Sequence, residues 1–287
     1  MKLLKRLSTI LVIVGGSYNC FATEVIRLTN GEWPPYLGKN VSHYGISSYI
    51  VTQAFALVGV KVVYGFFPWK RAFEAASIGK NWDGSVIWIR RPEREKLFDY
   101  GPAILEQEKV FFHLKDTPFS WQTVDDLKHF QIGGTIGYTY GESFDNAEKK
   151  GLLNVRRLVQ DKQGLGMVLE KRLDIFPLEI DVANSLLAKE FQPQQIQQLT
   201  YYPKPLTRLN YHFILSKNIS KQKRQHFLQL FNNGLNQLKQ RIGEQWVLHP
   251  CSTPLTGNHG LTKEEVELYQ SLCPSKLVQP SQPTSLD

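Results

Sequence analysis

Three guanidinium groups crowd into one short stretch, Arg90, Arg91 and Arg94, around Pro92. Arginine presents a planar fork that matches a carboxylate bidentately, so the chemistry on offer is anion capture. Asp83, Glu93, Glu95 and Asp99 lie close by, and local surface ion pairs are the competing use of these cations. A second anion-binding feature is the glycine-rich run Gly133 to Gly141, which at a strand-to-helix turn would expose backbone N–H groups. No Gly-Lys-Ser/Thr follows it, so it is not a phosphate loop. Gly164-Leu165-Gly166 lacks the third glycine of a dinucleotide fingerprint. Gly-x-Ser-x-Gly, His-Glu-x-x-His and Cys-x-x-Cys are all absent from the chain. Carboxylates are numerous enough for an acid/base pair, which keeps an enzyme as the lesser reading. No cofactor is expected. No metal site is expected either, because His249 and His259 lack ligand spacing to the nearby cysteines.

These residues need elements to hold them. Trp82-Asp83-Gly84 reads as a turn and Val86-Ile87-Trp88-Ile89 as a buried strand of β-branched character. Pro92 cannot continue a ladder but suits the first turn of a helix, so the arginines fall where a strand ends. In open α/β sheets that carboxyl end is where ligands bind. Upstream, Glu24 to Leu28 reads as a strand, and Ile46, Ile50, Ala54 and Leu57 recur at helical spacing before a stop at Gly59. Lys61 to Phe67 alternates as a second strand, and Phe67-Pro68-Trp69 opens a helix ending near Gly79. The order strand, helix, strand, helix, strand implies an α/β lobe with a largely parallel sheet. Further on, Lys109 to Leu114 looks extended, Thr123 is placed as an N-cap, and a helix runs from about Lys162 to Lys171. Leu173 to Glu179 and Tyr211 to Leu215 read as strands. Phe227, Phe231, Leu235, Leu238 and Ile242 then form one apolar helix face.

The amino terminus reads as a leader. Lys2, Lys5 and Arg6 precede the apolar run Leu7 to Val14, and Cys20-Phe21-Ala22 supplies small residues for cleavage after Ala22. The run is too short to span a bilayer. Lipidation of Cys20 is the competing reading, with Tyr18 and Asn19 against it. Loss of 1–22 lowers the formal charge of +8 by three and leaves no Lys/Arg stripe, which argues against a nucleic-acid partner. Cys251 and Cys273 remain, an even pair in an exported chain, and a bridge between them would stabilise by roughly 3 kcal/mol. The stretch from Pro274 to Asp287 is rich in Pro, Ser and Gln and is expected to be disordered.

The order Asp83-Gly84, apolar strand, Pro92-Glu93-Arg94, then Phe98-Asp99-Tyr100-Gly101-Pro102 resembles the type II periplasmic solute-binding proteins. Within them it is similar to the branch serving polar amino acid uptake by ATP-binding-cassette transporters. The resemblance runs from about Val25 to Val247 and rests on the order and spacing of individually loose motifs. It implies a two-lobed α/β fold with a ligand cleft between lobes joined by two hinge strands. Residues 23–112 and 206–250 would form the first lobe and 113–205 the second, with 251–287 a C-terminal extension. Arg94 matches the arginine that grips the ligand carboxylate. Trp33 and Trp69 match aromatic positions facing the ligand, with Trp88 beside them; stacking on Pro34 and Pro35, or plugging the lobe base, is their structural alternative. Tyr138 and Thr139 match the second-lobe ligand loop. Glu179 matches the carboxylate that receives the ligand ammonium, with Asp181 the close competitor and a helix cap the plain alternative. The implied partners are a small ligand and either a transporter permease or a sensor receptor, with the protein a periplasmic monomer. One departure stands out: Val86 to Ile89 replaces the small hydroxyl or glycine residues that usually hydrogen-bond an amino acid head.

The leader and the cysteine pair make a direct prediction. Intact-mass analysis of the exported protein should show a chain beginning at or near Thr23 and lighter by one disulfide; two free thiols would contradict the pairing.

Overall fold

The computed structural model describes residues 23–253 and 261–282; the leader and its cleavage point lie outside the described residues. The first elements alternate as their periodicities dictate. Strand β1 (Glu24–Asn30), helix α1 (Ile46–Ala56), strand β2 (Val60–Phe66), helix α2 (Trp69–Ile78) and strand β3 (Gly84–Ile89) follow in order. β1 pairs in parallel with both β2 and β3. A short helix α3 (Pro92–Glu95) starts on its proline and leads into β4 (Phe98–Leu114), a single long strand. The strand passes through Gly101-Pro102 with register shifts against β9 between Tyr100 and Leu105.

The next set of elements begins after a 3-10 turn at Val124–His129, where the Asp126 carboxylate accepts hydrogen bonds from the backbone N–H groups of Gln122 and Thr123. Strand β5 (Gln131–Thr135), helix α4 (Glu142–Lys149), strand β6 (Asn154–Leu158) and helix α5 (Asp161–Leu169) follow. Strand β7 (Phe176–Glu179), helices α6 (Ile180–Glu190) and α7 (Pro193–Ile196), and strand β8 (Leu199–Tyr201) come next. The chain returns along β9 (Thr207–Ser216) into the long helix α8 (Lys221–Ile242), then α9 (Glu244–Leu248) and α10 (Lys263–Ser271). The main sheet has the order β2-β1-β3-β9-β4-β7, with β8 also on β4, while β5 and β6 pair in parallel. β4 and β9 are antiparallel along most of their length.

Burial follows the pleat. On β9, Phe213 and Leu215 face the core shared with α1 and α8, whereas Ile214 packs with Ala76 of α2, Trp88 and Phe98 on the other face. Helices therefore cover both faces of the first-lobe sheet. The apolar stripe of α8 is fully used, with Phe227, Phe231, Leu235, Leu238 and Ile242 all buried. Its contact with α1 is close at one point, where a Cβ on Gly234 would sit 1.8 Å from the Ala54 carbonyl oxygen. A second aromatic cluster of Phe111, Phe119, Trp121, Tyr140 and Phe144 packs separately, while Leu165, Val168, Phe176 and Val182 join the larger core.

The C-terminal segment departs from expectation. Cys251 and Cys273 are bonded across 22 residues, and Tyr269 of α10 packs on Tyr49 and Trp246. The stretch 274–282 is ordered and docked, not a free tail. The Asn184 side-chain carbonyl accepts the Leu277 and Val278 N–H groups, Ser281 N–H donates to the Tyr201 carbonyl, and Val278 is buried. One buried valine and these hydrogen bonds to the backbone of the stretch outweigh its polar composition. The remainder of that tail, 283–287, lies outside the described residues.

The α1–α8 crossing predicts the effect of one methyl group. Alanine in place of Gly234 gains about 1 kcal/mol of helix propensity. The clash is with backbone, so Gly234→Ala should still be a net loss of about 1–3 kcal/mol. Urea unfolding should show a lower midpoint at unchanged slope.

Candidate functional site

Arg94 stands on α3 immediately behind the carboxyl end of β3. Its Nη1 donates to the Ile89 carbonyl oxygen at 3.0 Å, which fixes the guanidinium against the strand end. The plane lies over the Trp88 ring at 4.9 Å and beside Phe73 at 6.0 Å. Trp88 in turn donates its indole N–H to Ser85 Oγ at 2.7 Å and meets Trp69 edge-on at 5.5 Å. Trp69 is the first residue of α2, and it lies so close to Gly31 that a Cβ there would be 2.6 Å from its ring. The four groups form a braced stack. Among the described residues no carboxylate lies within 4 Å of Arg94. Burial and then the Arg91 charge push its pKa below the usual guanidinium value. Much of the fork is left free to bind an anion.

The strand that aims this stack is irregular. Sequence reading expects a plain strand at Val86 to Ile89, but the register with β9 shifts between Ser85 and Trp88, and Ile87 has φ of 61°. A β-branched residue in the left-handed region is strained, at about 1–3 kcal/mol. Such a bulge re-aims the side chains beside it. Ile87, Trp88 and Ile89 all line one cavity.

The cavity floor is built from the crossing strands. Lys109 on β4 and Glu179 at the end of β7 are register partners, and their side chains form an ion pair with exposures of 2% and 0%. Tyr211 on β9 donates its hydroxyl to the same Glu179 oxygen, Oε1, at 3.0 Å. The Lys109 ammonium also sits over the Tyr138 ring at 4.9 Å. Tyr138 belongs to the loop after β5 and donates to Asp161 at 3.1 Å. That loop is pinned further by Thr139, whose hydroxyl donates to Asp145, and by Tyr140, whose hydroxyl accepts from Thr135 N–H. Burial raises the Asp161 pKa, against hydrogen bonds from Thr135 and Tyr138 that lower it. Burial and neighbouring carboxylates push Tyr138 and Tyr211 well above the usual phenol value, which keeps both as donors. Away from the cavity lining, Tyr36 donates to Asp181 of α6 at 2.6 Å in a buried contact.

The cavity enclosed by these groups is about 170 Å³. Trp33, Trp69, Trp88, Arg94, Tyr138 and Thr139 all line it, so the sequence candidates from both lobes converge. Trp33 is buried against Tyr36 and Tyr211, and its indole N–H has no partner among the described residues. Glu179 does not line the cavity: it lies beneath, covered by Lys109, and does not cap α6 with its side chain. Asp181 is engaged by Tyr36. Lys109, Tyr211 and Arg91 also line the cavity; the sequence marked Arg91 only as a neighbour of Arg94 and did not mark the other two. Of these, Arg91 was within the arginine cluster, whereas Lys109 looked like one polar residue entering an apolar strand. Arg90 turns outward toward Glu95 and lies over Tyr100.

No protein-family profile matches the chain, and no curated protein matches it. Solved structures do. The substrate-binding protein of an amino acid ABC transporter is similar with a TM-score of 0.58 at 21% identity, covering 78% of this chain and 96% of that one. An ancestral arginine-binding protein bound to arginine gives 0.61 at 17% identity, over 80% and 98%. A histidine kinase sensor domain with similarity to periplasmic binding proteins gives 0.58 at 16%, over 76% and 90%. The chain has the two-lobed α/β fold of the type II periplasmic binding proteins.

The ion pair under the floor predicts an asymmetric mutational pattern. Lys109→Met strands a buried carboxylate and should cost about 3–5 kcal/mol in urea unfolding, whereas Lys109→Met with Glu179→Gln should recover most of it. Equal losses in both would mean the pair is not buried in solution.

Proposed function

We propose that this chain is an exported solute-binding protein. It closes two lobes on a small carboxylate-bearing ligand, an amino acid or a related compound, and delivers it to the permease of an ATP-binding-cassette transporter. The observation that carries this is Arg94, braced on Trp88 and Ile89, facing a partly open cavity with no carboxylate partner of its own among the described residues. Aromatic walls from both lobes add area for a ligand to cover. Contacts divided between lobes are what allow a ligand to favour the closed form, since only differential affinity moves that equilibrium.

The first lobe would comprise 23–112 and 206–250 and the second 113–205, turning about β4 and β9, with the mature protein a periplasmic monomer. Among the described residues no helix is long and apolar enough to cross a membrane. The likeness to a histidine kinase sensor domain favours a second reading, in which the closed form is read by a receptor and not by a permease. Co-purification with one membrane partner or the other separates the two. The likeness to solved binding proteins supports binding without turnover as the reading adopted. A thermal-shift screen of the mature protein against amino acids, small carboxylates and polyamines would identify the ligand class; a ligand at a hundred times its Kd stabilises by about 2.7 kcal/mol.

With a ligand in hand, calorimetry should rank the arginines. Arg94→Ala should lose about 2–5 kcal/mol of binding, some thirty- to several-thousand-fold, and Arg94→Lys should regain only part. Arg91→Ala should cost less and Arg90→Ala least, because Arg90 turns to solvent. Equal losses at all three would indicate diffuse electrostatics in place of a clamp.

A further inference from the structure

We infer that Lys109 fills, with its own ammonium, the place in front of Glu179, so that the cavity takes a carboxylate with a flat apolar body and no ammonium group, and excludes α-amino acids. This rests on the ligand-capture reading above and narrows it.

The charges that face the cavity are all of one sign. Arg94, Arg91 and Lys109 line it, and no Asp or Glu does. The carboxylates nearby are already committed. Glu179 accepts from Lys109 and Tyr211 on Oε1, and although its Oε2 has no hydrogen-bond partner, that oxygen is fully covered. Asp161 accepts from Thr135 and Tyr138, and Asp181 from Tyr36. A ligand ammonium in this cavity would be stripped of water, face three cations and find no free carboxylate. An unpaired buried charge of that kind is strongly disfavoured.

The same walls suit an anion. The part of the Arg94 fork not engaged by the Ile89 carbonyl is a donor facing the cavity, and a carboxylate is its natural partner. Trp33, Trp69, Trp88 and Tyr138 offer flat faces. The volume of about 170 Å³ is ring-sized, since an engineered apolar cavity of about 150 Å³ in another protein accepts benzene. The departure at Val86 to Ile89 fits as well: hydroxyls for an amino acid head are absent because no such head is held.

The test uses pairs that differ only in the α-amino group: 3-phenylpropanoate with L-phenylalanine, 3-(4-hydroxyphenyl)propanoate with L-tyrosine, 4-methylpentanoate with L-leucine, and glutarate with L-glutamate. Calorimetry on the mature, oxidised protein should show at least one desamino acid binding, tenfold or more tighter than its amino partner. An amino acid that binds as tightly as its desamino partner overturns the inference and leaves the ligand-capture reading standing. Failure of both series, together with silence in the wider thermal-shift screen, overturns both. Lys109→Ala, which uncovers Glu179, should move the preference tenfold or more toward the amino member. An unchanged preference in folded Lys109→Ala would show that Lys109 is not what excludes the ammonium. Lys109→Ala with Glu179→Gln, which leaves no buried charge, should remain folded without gaining amino acids; if it gains them, Glu179 is not the ammonium acceptor. Should Lys109→Ala fail to fold, the wild-type pairs still decide the exclusion.

Discussion

The buried pair between Lys109 and Glu179 is the interaction on which the rest of the site depends. It sits where β4, β7 and β9 meet, and Tyr211 from the third strand completes it. Burying either charge alone would be strongly unfavourable, so each fixes the other and both fix the strands that carry them. Replacing such a pair by apolar residues is often neutral for stability, so its presence here speaks more for a role in the cavity than for a need of the fold. The arrangement places a cation at the floor and hides the anion that balances it. The cavity therefore meets solvent with an excess of positive charge, though the molecule as a whole is only mildly basic.

Above this floor, the site depends on rigidity obtained from packing. The Arg94 guanidinium is held by a backbone carbonyl and an indole face, and that indole is held by Ser85 and by Trp69. Each member loses its rotamer freedom to the next before any ligand arrives, so little more is lost on binding. The unusual backbone at Ile87 belongs to the same system, for it turns the end of β3 toward the cavity. Strain held in that way persists only when the neighbouring contacts over-determine it.

Much of this was legible in the amino-acid sequence. The strand, proline and arginine succession around Pro92 located the Arg94 stack because proline and periodicity are local signals. The apolar stripe of α8 was visible for the same reason. Lys109 was not, because a lysine at the edge of an apolar run looks like a surface residue until its partner is known, and Glu179 is 70 residues away. Tyr211 was hidden by the same distance. The bulge at Ile87 has no local signature, since nothing in Val-Ile-Trp-Ile asks for a left-handed residue; the pairing with β9 imposes it. The ordered stretch 274–282 was misjudged because composition reports average burial, whereas Asn184 and Tyr201 offer it specific backbone partners.

The C-terminal segment has a further consequence. Tyr269 rests on Tyr49 in the first lobe, while Leu277, Val278 and Ser281 are tied to Asn184 and Tyr201 in the second. A shallow groove between the lobes is lined by Pro34, Pro35, Ser185 and Cys273, so this strap runs along the edge where Tyr36 meets Asp181. That edge is stitched; the opposite one, where Ile136 and Gly137 are exposed beside the cavity, is not. A jaw bound along one margin gapes only at the other. Among the described residues, Arg91 and the loop before Tyr138 stand on the side of the cavity away from this strap.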